Sequence, residues 1–373
     1  MQLNNFFSPV LEKVRNLKFL SLISNYIQNL KSDGQKVRLY IQAGFLLLIL
    51  WIGYEFYGFV QYHQTGGETP YFTRPPGVEG FLPVGALISL KYWILTGVIN
   101  DIHPSGLIIF VIILILGIFL KKSFCAWICP VGLISESLWQ LGTKIFKKNI
   151  RLWKWLDYPL RSLKYLLLLF FLYAILWQMD VLTLKHFIYS PYNKVADIKM
   201  LMFFTDISEF ALWTLIILVV LSVIIKNFWC RYLCPYGALL GFFSMFSPVK
   251  VTRNKETCTD CQECTQACPH LIKVHTHNRV ISDECTGCAL CVDACPEENT
   301  LEFKVTKKSK PIPTWAFGLT VVLIFILGTT LARFTGHWQN SITDQEYQRR
   351  VQEIHKPVYD HNRGDVPEYD KDD

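Results

Sequence analysis

Long apolar stretches alternate with short basic ones along this chain. The apolar runs cover roughly residues 39–60, 104–120, 164–181, 210–226 and 312–332. A helix needs about 20 apolar residues to cross the hydrocarbon layer of a bilayer, so these runs predict about five transmembrane helices. A sixth run, Val84–Val98, is shorter and carries Lys91. At 1.5 Å per residue it reaches only about 22 Å, and it reads as a re-entrant or interfacial segment. The Gly- and Pro-rich stretch Gly66–Pro83 predicts a loop.

The polar segments orient the helices. Residues 1–38, 121–164 and 226–310 hold 6, 9 and 11 Lys plus Arg, whereas 61–104 and 182–209 hold 2 and 3. Basic residues stay on the cytoplasmic side, which predicts an N-terminus inside a bacterial cytoplasmic (inner) membrane. Making Val84–Val98 a full span would put the segment with nine basic residues outside, against the bias. Residues 1–38 form a cytoplasmic segment. Within it, 6–30 has the spacing of a basic amphipathic helix lying on the membrane, with Phe7, Val10, Val14, Leu17 and Ser21 on one face. Residues 333–373 form an external polar tail with nine acidic and six basic side chains. The expected division is a membrane core at 39–248, a cytoplasmic insert at 249–306, the last span at 312–332, and the tail.

Composition agrees with a membrane protein: 51% of residues are hydrophobic and 18% charged. The net charge of +7 is accounted for by the basic residues flanking the spans, so no separate stripe remains for nucleic acid. Twelve cysteines all fall between positions 125 and 295. Such clustering points to metal ligation in a reducing compartment rather than to disulfides.

The insert carries the most specific signal. Cys258-x2-Cys261-x2-Cys264-x3-Cys268-Pro269 is repeated as Cys285-x2-Cys288-x2-Cys291-x3-Cys295-Pro296. This is the spacing of a small α+β bacterial ferredoxin with two [4Fe–4S] clusters, in which the fourth cysteine of each run ligates the other cluster. One cluster therefore takes Cys258, Cys261, Cys264 and Cys295, and the other takes Cys285, Cys288, Cys291 and Cys268. The competing reading, a pair of zinc knuckles, needs paired cysteines and has no use for three in one tight loop. His270, His275 and His277 are expected on the surface of a short hairpin, Lys273–Ile281. His270, beside Cys268-Pro269, is placed to tune a cluster by hydrogen bonding.

A second constellation recurs at an offset of 105 residues: Phe124-Cys125-Ala126-Trp127-Ile128-Cys129-Pro130-Val131-Gly132 and Trp229-Cys230-Arg231-Tyr232-Leu233-Cys234-Pro235-Tyr236-Gly237. Each copy follows a membrane run of the same direction, which predicts a parallel repeat about an axis along the membrane normal and brings Cys125, Cys129, Cys230 and Cys234 together. Pro disfavours helix in the residue before it, so Cys129 and Cys234 belong at helix ends or kinks. Three readings stand side by side: small buried core residues, a redox dithiol or transient metal site, and a cradle for the insert or a further metal site.

Other cofactors lack support. There is no C-x-x-C-H for covalent haem, no histidine inside the five runs, and no nucleotide motif. His63, His103 and His186 lie at external edges of the runs and read as interfacial, with His103-Pro104 a candidate contact for a quinone headgroup.

Two Cys-x3-Cys-Pro motifs after membrane helices, followed by a two-cluster ferredoxin insert, resemble the NapH/NosR/CcoG-type membrane polyferredoxins over roughly residues 37–340. Arg74-Pro75-Pro76-Gly77-Val78-Glu79-Gly80-Phe81-Leu82-Pro83, Leu90-Lys91-Tyr92-Trp93 and Gly336-His337-Trp338 look like the C-terminal membrane part of the nitrous-oxide branch, NosR. The flavin domain of that branch has no counterpart in the 38 residues before the first span, so flavin is unsupported. The external β-domain of the oxidase accessory branch has none in the tail. The resemblance implies electron transfer from membrane quinol to another redox protein or a periplasmic reductase of the nitrate or nitrous-oxide type, or to its maturation. The alternatives are a copper reductase that serves assembly of a respiratory metalloenzyme, and a membrane redox sensor.

Overall fold

The computed structural model describes residues 33–147, 152–361 and 367–370. The amphipathic segment expected at 6–30 lies outside the described residues. The protein is mostly helical, with one small two-stranded region.

Asp33 caps the first helix, α1 (Gly34–Gln64), by accepting the Lys36 amide at 3.1 Å. Two short apolar helices follow, α2 (Pro83–Thr96) and α3 (Pro104–Phe119), each opening on a proline whose missing N–H is no loss in a first turn. Then come α4 (Ser123–Trp127), α5 (Pro130–Phe146), α6 (Lys154–Leu172, continued by a π-helical turn over Tyr173–Gln178), α7 (Val181–Tyr189), α8 (Ala196–Thr205) and α9 (Glu209–Ile224). A π-helical turn at Trp229–Leu233 leads into α10 (Pro235–Ser244). Strands β1 (Lys250–Arg253) and β2 (Leu301–Lys304) enclose the cysteine-rich loops, and α11 (Thr314–Phe334) and α12 (Asp344–Gln352) end the chain.

Among the described residues three helices are long and apolar enough to cross a membrane: α1, Lys154–Gln178 and α11. The pair α8 and α9, bent by 78°, makes a fourth if taken as one broken span. The expected five spans are thus three to four by length. The second expected span, α3, has 16 residues, or about 24 Å. It is little longer than the 14-residue α2, so length does not separate them as the apolar runs suggested. The reason is packing. Leu107 and Leu116 of α3 are fully buried, and a helix that is apolar all round is covered by protein as readily as by lipid. Lys91 of α2 donates to the carbonyls of Ile175 (3.0 Å), Leu176 (3.1 Å) and Met179, so its charge closes the end of the α6 segment.

The two Cys-Pro repeats exchange arms. Helix α5, which follows the first motif, packs on α9, which precedes the second; α10, which follows the second, packs on α3, which precedes the first. Glycines allow the approach. A Cβ on Gly142 would lie 1.8 Å from the Val223 carbonyl oxygen, and one on Gly117 would lie 3.1 Å from Leu240.

In the insert, β1 and β2 pair antiparallel with Val251 opposite Phe303 and Arg253 opposite Leu301. The alternate residues Val251, Leu301 and Phe303 turn inward, and Phe303 stacks on Phe317 of α11 at 4.6 Å. This face ties the ferredoxin-like region to the membrane part. The expected histidine hairpin is instead a 3-10 turn over Val274–Thr276, with a single bridge from Arg279 to Thr252.

The polar tail is docked. Helix α12 packs on α1 and buries Tyr347 and Val351, and His63 Nδ1 lies 2.8 Å from Gln348 Oε1. His103 is buried as well. Its Nδ1 lies 3.3 Å from Glu79 and its Nε2 2.7 Å from the Asn193 carbonyl. It lines neither large apolar cavity, so the expected interfacial quinone contact is replaced by an internal charge cluster. His186 sits 2.8 Å from the Tyr369 carbonyl.

Candidate iron–sulfur centre

Each cysteine-rich loop turns through the left-handed region on both sides of its middle cysteine: Asp260 (φ 53°) and Gln262 (φ 66°) flank Cys261, and Gly287 (φ 65°) and Ala289 (φ 63°) flank Cys288. Three of these four are not glycine, and non-glycine residues adopt that conformation uncommonly. Alternation of left- and right-handed residues turns successive backbone N–H groups into one concavity, a nest for negative charge.

The cysteines divide between two small cavities. One is lined by Cys258, Cys261, Cys264 and Cys295. The other is lined by Cys268, Cys285, Cys288 and Cys291. Each set takes three thiols from one loop and the fourth from the other. Among the described residues no three His, Cys, Asp or Glu side chains converge on a point that would hold a single metal ion. A tetrahedral zinc site needs sulfurs about 2.3 Å from one centre. A cubane attaches each thiolate to a different iron, so four thiols that line one cavity suit that group.

The histidines take different places from those expected. His270 is buried and lines the second cavity. Burial pushes its imidazole down to about 3. His275 lines the first cavity and pairs with Thr265 Oγ1 at 2.7 Å. Arg253, at the end of β1, reaches Cys258 Sγ at 3.3 Å.

Cys125, Cys129, Cys230 and Cys234 line one chamber of about 220 Å³ between the two repeats, with Lys122 and Tyr236. Four residues of the insert, Pro269, His270, Thr286 and Cys288, belong to the walls of both this chamber and the second ferredoxin cavity. The two sites are adjacent.

The residues between the motif cysteines hold the insert, and the sequence reading did not single them out. Trp127, fully buried, donates to the Gly287 carbonyl at 3.0 Å. Arg231 donates to the His270 carbonyl at 2.7 Å and grips Asp157 of α6 at 3.0 Å. Below them, Glu284 pairs with Lys164 at 2.5 Å and Arg161 at 3.3 Å. Burial raises the Glu284 carboxyl, but Lys122 and Lys164 outweigh it and hold the group at about 2. From α1, Gln35 donates to the Cys288 carbonyl at 3.1 Å, and Arg38 forms a two-pronged pair with Glu136 at 3.0 and 2.5 Å. The available signal was an ionisable residue inside an apolar run, as at Lys164, which is by default a functional position.

A family model described as a 4Fe–4S binding domain matches residues 102–150 and 209–254, and one described as a 4Fe–4S dicluster domain matches 250–296. The first covers both Cys-Pro repeats and the second the ferredoxin loops. The chain is 38% identical over 328 residues, 86% of this chain and 92% of the relative, to "Putative electron transport protein YccM" of Escherichia coli strain K12. The chain belongs to the 4Fe–4S ferredoxin-type membrane proteins. Within this family it is also 27% identical to the methylamine utilization ferredoxin-type protein MauN of Methylorubrum extorquens, over 52% of this chain and 64% of the relative. The regulatory protein NosR of Stutzerimonas stutzeri matches at 27% over only 39% of this chain and 19% of its own length. The nitrous-oxide branch is therefore a partial and distant match, and YccM accounts for far more of the chain. No solved structure matches it. Membership makes this a membrane iron–sulfur protein of the electron-transport type.

Proposed function

We propose that the protein is a one-electron carrier that draws electrons from membrane quinol and delivers them to a respiratory redox partner. Cys258, Cys261, Cys264 and Cys295 would hold one [4Fe–4S] cluster, and Cys268, Cys285, Cys288 and Cys291 the other. When bound, these clusters supply one-electron redox steps at low reorganisation. The observation that carries the reading is the division of eight thiols between two adjacent cavities, one of which backs onto the membrane part.

The donor side has a candidate cavity. A space of about 1110 Å³ opens between α1 and α11, lined by apolar residues such as Ile41, Phe45, Ile113 and Phe325 and ending at Phe124, Ile128 and Pro130 of the first Cys-Pro motif. Its far end carries Arg74, Asn340 and Tyr347. An apolar cleft with a few convergent polar groups is the usual form of a small-molecule site, and this one suits a lipid-soluble quinol. The basic residues of 226–310 favour the insert on the cytoplasmic side, with the tail outside. The acceptor in this reading is a nitrate- or nitrous-oxide-type reductase system or its maturation pathway.

The test is reduction by a quinol analogue. Protein purified anaerobically in lipid should give EPR signals of reduced [4Fe–4S] clusters when titrated with the quinol. Zinc in place of iron and labile sulfide would refute the carrier, and clusters that dithionite but not quinol reduces would refute the donor. The rival is a copper reductase acting through the Cys-Pro thiols, which stoichiometric copper in the purified protein would favour.

A further inference from the structure

We propose that Glu55 of α1 is the proton acceptor for quinol oxidation and sends the released protons to the tail side of the membrane. This deepens the electron-carrier reading and rests on it. A quinol that gives up two electrons must also lose the protons of its two O–H bonds, and that reading names no group to take them.

Glu55 is the one charged residue in the apolar run 39–60, and α1 is among the helices long and apolar enough to cross a membrane. A carboxylate inside a membrane helix is expensive and marks a site or a pathway. Glu55 is half-buried and lines the cavity of about 1110 Å³. Its carboxylate has no hydrogen bond or ion pair among the described residues.

The loop 66–82 presses on α1 to either side of this carboxylate. A Cβ on Gly77 would lie 2.8 Å from Ile52, and one on Gly58 would lie 2.5 Å from the Phe72 ring. Ile52 and Gly58 are each three residues from Glu55 and share its side of the helix. Arg74 of the loop does not neutralise Glu55, since Glu79 at 2.9 Å and Asp197 at 2.7 Å already hold it. The other ionisable groups on the cavity wall are Tyr40 at the far end of α1, Tyr71 of the loop, Arg333 of α11, and Asp344 and Tyr347 of α12. Arg333 lies over the Trp338 ring at 5.3 Å, and the Tyr347 hydroxyl accepts from Asn340 at 2.6 Å. Asp344 is exposed and accepts from Tyr71 at 2.8 Å. The cavity thus has one carboxylate in its apolar stretch and a second at its rim, on the side of the tail.

Electrons have a different way out. Gly80, Phe81, Phe124 and Pro130 wall both this cavity and the chamber that adjoins the insert. Gly77 and Gly80 belong to one 3-10 turn, Pro76–Phe81, and at about 2 Å per residue they are roughly 6 Å apart along it. A headgroup beside Glu55 therefore lies close to the chamber wall. Its two O–H bonds break and quinone leaves. Its two electrons go one at a time to the two oxidised clusters of the insert, one to each. Its two protons pass in turn to a Glu55 carboxylate oxygen, and from there to Asp344 and water.

The experiment uses the full chain in lipid, purified anaerobically, with a short-chain quinol analogue. Glu55→Gln should slow reduction of the clusters by quinol about a hundredfold and leave their reduction by dithionite unchanged. It should also lose the rise in rate with pH that an ionising Glu55 gives the unaltered protein, while Glu55→Asp keeps part of both. Equal rates and pH profiles in Glu55→Gln and the unaltered protein would overturn the proposal and leave the carrier reading standing. Unaltered protein that dithionite but not quinol reduces would overturn the donor reading, and this proposal with it. In vesicles with the insert outward, a trapped pH dye should report one proton released inside per electron passed to an impermeant acceptor outside; acidification of the outer face would overturn the route. One readout needs neither turnover nor a variant. Dicyclohexylcarbodiimide, which attacks carboxyl groups in apolar surroundings, should label Glu55 of the unaltered protein, and the quinone analogue should block it. No labelling, or labelling that the quinone leaves unchanged, would overturn the site.

Discussion

Replacing Glu284 by Gln should release the insert from the membrane part. The Glu284 and Lys164 side chains are 2% and 0% exposed and 2.5 Å apart. Arg161, 28% exposed on its side chain and 3.3 Å away, is better screened by water and matters less. The amide keeps the shape and removes the charge, leaving the Lys164 ammonium buried without its counter-ion. Breaking one half of a buried pair costs about 3–5 kcal/mol. At about 1.4 kcal/mol per decade, the docked-to-undocked ratio falls roughly a hundredfold to a few thousandfold. Hydrogen exchange across residues 284–291 in lipid nanodiscs reads that ratio. Lys164→Met should loosen the same residues, and the double variant should recover part of the loss, since Lys122 still loses its counter-charge. Additivity of the two single changes within about 0.5 kcal/mol would refute the clamp.

Four further outcomes follow from other contacts. Cys268→Ala should disrupt the cluster of Cys285, Cys288 and Cys291, and Cys295→Ala that of Cys258, Cys261 and Cys264; EPR lines lost in the reverse pattern would refute the crossed assignment. Gly142→Ala sets a methyl 1.8 Å from the Val223 carbonyl and should lower thermal stability by about 1–3 kcal/mol. Gly53→Ala, with nothing within 4 Å, should be neutral or stabilise by up to about 1 kcal/mol; equal effects would sink the arm-exchange argument. Trp127→Phe loses the bond to the Gly287 carbonyl at about 1–3 kcal/mol and should slow electron passage without changing iron content, which metal analysis beside flash-reduction kinetics would check. For Glu79, burial is outweighed by Arg74 and His103, which hold the carboxyl at about 2 against an ordinary 4.5. The stability it contributes is full above about pH 4.5 and is lost as pH falls towards 2. His103 is held above its ordinary value by Glu79 against the opposing effect of burial, so its contribution is full below about pH 6.5 and is lost at higher pH. Proteolysis of α12 should accelerate at both extremes, and acceleration near pH 6 would contradict this.

The parts of the molecule that depend on local spacing were legible in the chain. Three cysteines in a tight loop with a distant fourth state both the chemistry and the division, and the 105-residue repeat announces itself at nine positions, seven of them matched. What spacing does not carry is which buried surface covers which helix. Hydropathy over the run at 104–120 does not mark which side meets protein, and α3 proves to bury Leu107, Ile113 and Leu116 while leaving Ile115 and Phe119 exposed. His103 reads as interfacial because its partners, Glu79 and Asn193, are remote in sequence. The tail is different: Tyr347, Val351 and Ile354 recur at helical spacing and all are buried, so a signal was present beneath a polar composition.

The Cys-Pro motif performs two tasks. The first cysteine of each copy lies in a short helical turn and the second is the extended residue that starts the next helix. In the first motif Cys125 and Cys129 line the chamber, and Trp127 between them reaches the insert at Gly287. In the second, Cys230 and Cys234 line the same chamber, and Arg231 reaches His270. Gly287 and His270 adjoin Cys288 and the Cys268-Pro269 pair, the cysteines that face the second ferredoxin cavity. One short segment therefore sets both the position of the thiols and the position of the insert against them. Any displacement of the insert pulls the second ferredoxin cavity away from the chamber, so the same few bonds set the docking of the insert and the spacing of the two sites.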